Sequence, residues 1–186
     1  MKTCLLVSVL VFAFASSSSA QAADPQIPAF KLQYDIVKGY VTKSAEKVSA
    51  ELYSYQPTPD VRSFGKILGH IADANYMFCS GVKGEKSPME MQAIEKGKTT
   101  KADLQKALAE SYAYCDGVYR SLAGAQLADK VEFFGMPQTK LSLLALNTAH
   151  NFEHYGNLVT YMRMKQIVPP SSEPREMPGS APTPSN

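Results

Sequence analysis

Tryptophan is absent from this sequence, and histidine and cysteine occur only three times each. No lysine- and arginine-rich run appears, and 19 basic residues stand against 17 acidic ones. Nucleic-acid binders neutralise backbone phosphates with clustered cations. Without such a cluster, no nucleic-acid partner is expected. No glycine-rich phosphate loop is present, which removes the nucleotide-dependent folds built on that loop. The apolar run from Cys4 to Ala15 falls short of the roughly 20 residues that span a bilayer. Alternating apolar and polar segments are also lacking, so a strand-built core is not expected. With histidine this scarce, any imidazole chemistry rests on His70, His150 and His154. No Ser-His-acid set can be read beside them.

The two ends differ in composition from the middle. Met1 to Thr3 carries one lysine, Cys4 to Ala15 is apolar, and Ser16 to Ala23 is rich in small residues. That order is the pattern of a secretory signal peptide, with cleavage expected after Ala20 or Ala22. Residues 1–22 are therefore read as a signal peptide and the protein as exported, to a periplasm or outside the cell, with no stable membrane insertion after cleavage. Residues 168–186 (VPPSSEPREMPGSAPTPSN) are rich in Pro and Ser and poor in apolar residues. Such a segment buries too little surface to offset its ordering entropy and is expected to be a disordered tail. Residues 27–167 remain, enough for one domain with one core. The mature chain keeps Cys79 and Cys115. In an oxidising compartment they can pair, but two buried thiols fit the sequence equally well, because sequence does not supply the Cα separation a bridge needs.

The middle reads as helices joined by polar connectors. A first helix is expected from Ala29 to about Tyr55, with Leu32, Ile36, Tyr40, Ala45, Val48 and Leu52 as its apolar positions. Pro57 and Pro59 end it. Ser63 is a plausible N-cap for a second helix whose core face is Phe64, Ile67, Leu68, Ile71, Ala74 and Phe78, ending at Gly81 to Gly84. The connector from Lys83 to Thr99 has room for a short helical piece. Thr100-x-x-Asp103 resembles a capping box and opens a third helix, which stops before Gly124. Asp129 to Gln138 reads as an ordered loop with a brief extended piece at Val131–Phe134. Thr139 caps a fourth helix that runs to about Ile167. The fold class expected is all-α, a four-helix bundle.

The fourth helix carries His150 and His154, four residues apart and therefore on one face. They fall on a stripe with Leu143, Asn147, Leu158 and Tyr161, a partly apolar face that should point inward. Two imidazoles one turn apart can bind a single transition metal. His70, near the midpoint of the second helix, converges on them if the two helices are neighbours, because bundle metal sites are assembled from facing helices. Three histidines with an open position form the ligand set of catalytic zinc sites. The same set suits nickel or iron(II), and manganese is compatible, so ligand type alone does not choose the ion. Asp73 and Asn147, each three residues from a histidine, are weighed as groups that orient an imidazole and as ordinary polar contacts. Glu153 lies about 100° around the helix from His154 and is not expected to be a ligand.

The segments PTPDVRSFGKILGHIADANYMFC and LLALNTAHNFEHYGNLVTYMRMKQIVPPSS resemble the DinB/YfiT-like metalloenzyme family over nearly all of residues 30–170. The resemblance implies an up-down-down-up four-helix bundle with a three-histidine metal site, and no ligand position is lost in this sequence. It also implies a homodimer in many members, and thiol-dependent transferase or isomerase activity in some. The function expected is a metal-dependent hydrolase or thiol-dependent transferase acting on a small molecule. The other reading is a non-catalytic metal- or ligand-binding protein of the cell envelope.

Overall fold

A computed structural model of the protein describes residues 25–174. The expected signal peptide lies outside the described residues, as does the tail from residue 175 onward. Five α-helices are present among the described residues: α1 (Gln26–Lys47), α2 (Phe64–Lys83), the short α3 (Ala93–Gly97), α4 (Lys101–Ser121) and α5 (Lys140–Met164). The caps read from sequence hold three of them. Ser63, Thr100 and Thr139 each accept a backbone N–H three residues on, from Lys66, Asp103 and Ser142. Each satisfies one donor that the first helical turn leaves unpaired. Gly84 ends α2 in the left-handed region (φ 70°), where only a residue without Cβ sits without strain.

Helices α1 and α2 each pack against α4 and α5, so α1 and α2 occupy opposite corners. Cross-contacts fix the directions. Val48, just past α1, accepts from Lys101 at the start of α4, while Tyr34 packs on Tyr119; α1 and α4 are antiparallel. Gly65 lies against Leu104 and Cys79 is bonded to Cys115, so α2 and α4 are parallel. Gly81 meets Leu143 whereas Tyr161 reaches Arg62, so α2 and α5 run oppositely. The order is up-down-down-up. Its core includes Ile67, Leu68, Ile71, Leu108, Leu143 and Leu158, all 2% exposed or less. Each such side chain contributes about 1.5–3 kcal/mol relative to an exposed one.

Four features differ from the sequence reading. Helix α1 ends at Lys47, and Ala50–Ser54 forms a separate 3-10 turn. Val48 and Ser49 are extended, and the bend carries Tyr53 inward, where its hydroxyl donates to Ala45 O. At that helix end Lys101 Nζ donates to Glu46 O, and Gln105 Nε2 donates to the same Ala45 carbonyl as Tyr53. The buried face of α1 is Tyr34, Val37, Val41, Ser44 and Ala45, while Leu32 and Ile36 are exposed. Residues 130–139 form a two-stranded hairpin, β1 (Lys130–Phe133) and β2 (Met136–Thr139), instead of a loop with one extended piece. The start of the expected tail is docked: Pro169 and Pro170 are buried, and the Ser171 amide and hydroxyl both bond the Tyr155 hydroxyl. No helix among the described residues is long and apolar enough to cross a membrane.

Cys79 and Cys115 are disulfide-bonded, their Cα atoms 5.4 Å apart. Sequence left bonded and reduced cysteines equally open; the parallel register of α2 and α4 decides it by bringing the two positions face to face. Asn75, Ser111, Tyr112, Asn147 and Asn151 surround the bond in a connected buried network. Tyr112 donates to Asn151 Oδ1 at 2.8 Å, and Asn151 donates to Asn75 Oδ1 at 3.0 Å. Buried polar groups of this kind are tolerated because they are hydrogen-bonded.

Candidate metal centre

The antiparallel register of α2 and α5 places the midpoint of one beside the midpoint of the other, and the three histidines meet there. His70 Nε2 lies 3.1 Å from His150 Nε2, which lies 3.2 Å from His154 Nε2. All three donor atoms fall within 4.8 Å of one another. His154 is buried; His70 and His150 are half-buried. Donor nitrogens bound at 2.0–2.1 Å to one tetrahedral ion are about 3.3–3.4 Å apart, so the observed spacing already approximates a ligand set.

Hydrogen-bond accounting sharpens the assignment. Glu95 Oε2 is 2.9 Å from His70 Nδ1. An ionised carboxylate only accepts, so His70 carries its proton on Nδ1 and presents a lone pair at Nε2. His150 Nε2 faces both other rings. If it is protonated it can donate to one of them; if it is not, its lone pair opposes that of His70. No assignment of protons to three neutral rings gives both contacts a two-centre hydrogen bond. His150 Nδ1 is also buried with no hydrogen-bond partner among the described residues. Protonating His150 or His154 does not relieve this. Burial first, then the neighbouring imidazoles, depress His150 to a pKa of about 3. Burial, followed by His70, depresses His154 to about 4. Neutral imidazole is the ligating form. A single cation would satisfy all three lone pairs together, and the residues present fit a divalent transition ion.

Glu95 and Asn157, the groups that touch the far sides of the rings, give no signal in the sequence. Glu95 sits on α3, within the connector where only a short helical piece was expected. Asp73 docks that helix by accepting the amides of Ile94 (3.0 Å) and Glu95 (2.9 Å). Burial nonetheless raises the pKa of Asp73. Asp73 thus holds the residue that orients His70 instead of touching the imidazole. Gly69 makes the docking possible, because a Cβ there would stand 2.8 Å from Glu95 Cα. Glu95 Oε1 also accepts from Arg62 Nε at 2.8 Å. Partial burial works against the Glu95 carboxylate, but Arg62 and His70 outweigh it and its pKa lies below the usual range. The amide of Asn157 stands 3.2 Å from His154 Nδ1. Glu153 is exposed and takes no part in the cluster. Asn147 lies beside the disulfide sulfurs, not against an imidazole.

A family model for the DinB superfamily matches residues 33–158. The chain belongs to the DinB superfamily. This DinB-family chain is 32% identical over 124 residues to the uncharacterized protein YjoA of Bacillus subtilis (strain 168), covering 64% of this chain and 77% of that one. It resembles the crystal structure of a DinB-like protein from Bacillus cereus ATCC 10987 with a TM-score of 0.67 at 19% identity, over 77% of this chain and 95% of that one. A mycothiol-dependent maleylpyruvate isomerase shares the fold with a TM-score of 0.59 at 12% identity, over 71% of this chain and 60% of that one. The DinB fold therefore accommodates an enzyme, and at that identity the likeness concerns the fold alone.

Proposed function

We propose that this DinB-family protein is an exported metal-dependent hydrolase of a small-molecule substrate, with a divalent transition metal, zinc or nickel first, on His70, His150 and His154. The observation that carries this reading is the meeting of three Nε2 atoms whose contacts no set of neutral-ring protons can satisfy. Held by the three histidines, a divalent ion would supply Lewis acidity to a bound water and to negative charge developing on a substrate oxygen. The chain's own residues do the rest. Glu95 fixes the tautomer and orientation of His70, as second-shell carboxylates do for metal-ligating imidazoles. Burial keeps His150 and His154 neutral. A cleft of about 500 Å³, lined by His154, Glu95, Asn157 and Arg62 among others, gives a small molecule access to the cluster.

The buried disulfide supports export, since such bonds persist in oxidising compartments. It also favours hydrolysis over thiol transfer, because the low-molecular-weight thiols a transferase consumes are kept reduced in the cytosol. The test is metal analysis of protein purified without chelators, beside His154→Ala. We expect about one divalent ion per chain in the parent, as a three-imidazole site binds a single ion, and a large loss in the variant. Equal stoichiometric metal in both refutes the ligand assignment.

A further inference from the structure

The cleft beside the histidines carries cationic nitrogens that have no partner among the described residues. Arg62 is held at both ends: its backbone carbonyl accepts from the Tyr161 hydroxyl at 2.8 Å, and its Nε donates to Glu95 at 2.8 Å. The two terminal nitrogens of its guanidinium have no partner among the described residues. Lys66, one turn along α2, lines the same cleft and forms no ion pair among the described residues. A second depression of about 360 Å³ shares Lys66 and Glu95 with the first and adds Lys96 and Lys98. Across the two depressions four cations face two carboxylates, Asp60 and Glu95, and Glu95 is already engaged by Arg62 and His70.

We infer that this cleft binds a substrate bearing a carboxylate or phosphate, its oxyanion held by the free guanidinium edge of Arg62 and the ammonium of Lys66 while its reacting end faces the histidine cluster. Arg62 is suited to the role because its planar fork matches an oxyanion bidentately, and because its position is fixed before the ligand arrives. Lys66 adds a mobile point charge. The cationic excess across the two depressions also raises the local concentration of such a ligand. The inference rests on the metal-site reading for the identity of the reacting end, but the anion contacts do not involve an ion.

The test titrates succinate, inorganic phosphate and the uncharged succinamide into the protein, metal-loaded and chelator-treated, with binding followed by calorimetry and by the NMR shift of the Arg62 side chain. Metal content is measured in every sample, so a failure of the metal site is read separately from a failure of the anion contacts. We expect succinate or phosphate to bind and succinamide not to, in both metal states. Lys66→Ala should weaken the anion about fivefold, the size of one exposed charge contact, and Lys66→Glu should weaken it more. Lys66 is exposed, so both variants should fold. Preference for succinate marks a carboxylate ligand and preference for phosphate a phosphorylated one; either supports the inference. Equal binding of succinamide overturns it. So does anion binding that appears only with metal and is unchanged in both Lys66 variants, because the anion would then sit on the ion alone.

Discussion

Removing the Glu95 carboxylate should weaken metal binding without dismantling the bundle. Its two oxygens tie His70 to Arg62 at 2.9 and 2.8 Å, and its side chain is 13% exposed. A hydrogen bond to a charged group contributes about 1.5–3 kcal/mol. At about 1.4 kcal/mol per tenfold in affinity, that corresponds to roughly a 10- to 140-fold loss for Glu95→Ala. Second-shell partners of metal-ligating histidines typically account for a similar 10- to 100-fold. The Arg62 side chain is 39% exposed, so its share of the effect is screened and Arg62→Gln should cost less than Glu95→Ala. Glu95→Gln keeps an oxygen that accepts from His70 but loses the charge, and should fall between the parent and Glu95→Ala. The measurement is competition for zinc against a chromophoric chelator at fixed pH, with circular dichroism to confirm folding. A Glu95→Ala protein that folds normally and binds zinc within about twofold of the parent would falsify the assignment of Glu95 as the orienting group.

Further outcomes follow from the same contacts. Gly69→Ala places a methyl 2.8 Å from the backbone of Glu95; α3 must shift, at a cost of about 1–3 kcal/mol, and zinc affinity should fall with it. Urea unfolding and the chelator competition together check this, and an unchanged variant would mean that α3 gives way freely. Asp73→Ala removes the acceptor for two α3 amides and should cost about 1–2 kcal/mol, like a lost N-cap. Hydrogen exchange should then speed up at Ile94 and Glu95 specifically; unchanged rates there would refute the docking role. Replacing both Cys79 and Cys115 by Ala opens a loop of 36-residue separation, for which chain entropy predicts about 4 kcal/mol. A loss under about 1 kcal/mol in denaturant would mean that the unfolded chain gains little from the link.

How far the site could be read from sequence depended on locality. Ser63, Thr100 and Thr139 were legible as caps because a cap needs only its own next three residues. His150 and His154 were legible because i, i+4 spacing fixes their common face, and His70 because no other histidine remained to join them. The face of α1 was misread. Leu32, Ile36 and Tyr40 have helical spacing, but so do Tyr34, Val37 and Val41, and only the position of α4, with Tyr112 and Tyr119 against Tyr34, chooses between them. Glu95 gave no signal at all. It lies on a five-residue helix without periodicity, and its importance comes from Asp73 and Gly69, more than 20 residues away in the chain. The carboxylate that sequence did notice, Asp73, proved to be one step further from the ring than the carboxylate that matters.

His70 and His150 stand 80 residues apart on helices that are not consecutive, so no chain that ends before α5 can assemble the cluster. An ion captured there would act as a clasp on α5, the last long helix of the described chain. Its binding energy would be felt only once α5 has packed against α2. A nascent chain, or one cut short before His150, would stay unloaded, and the loaded population would report on molecules in which α5 is present and packed.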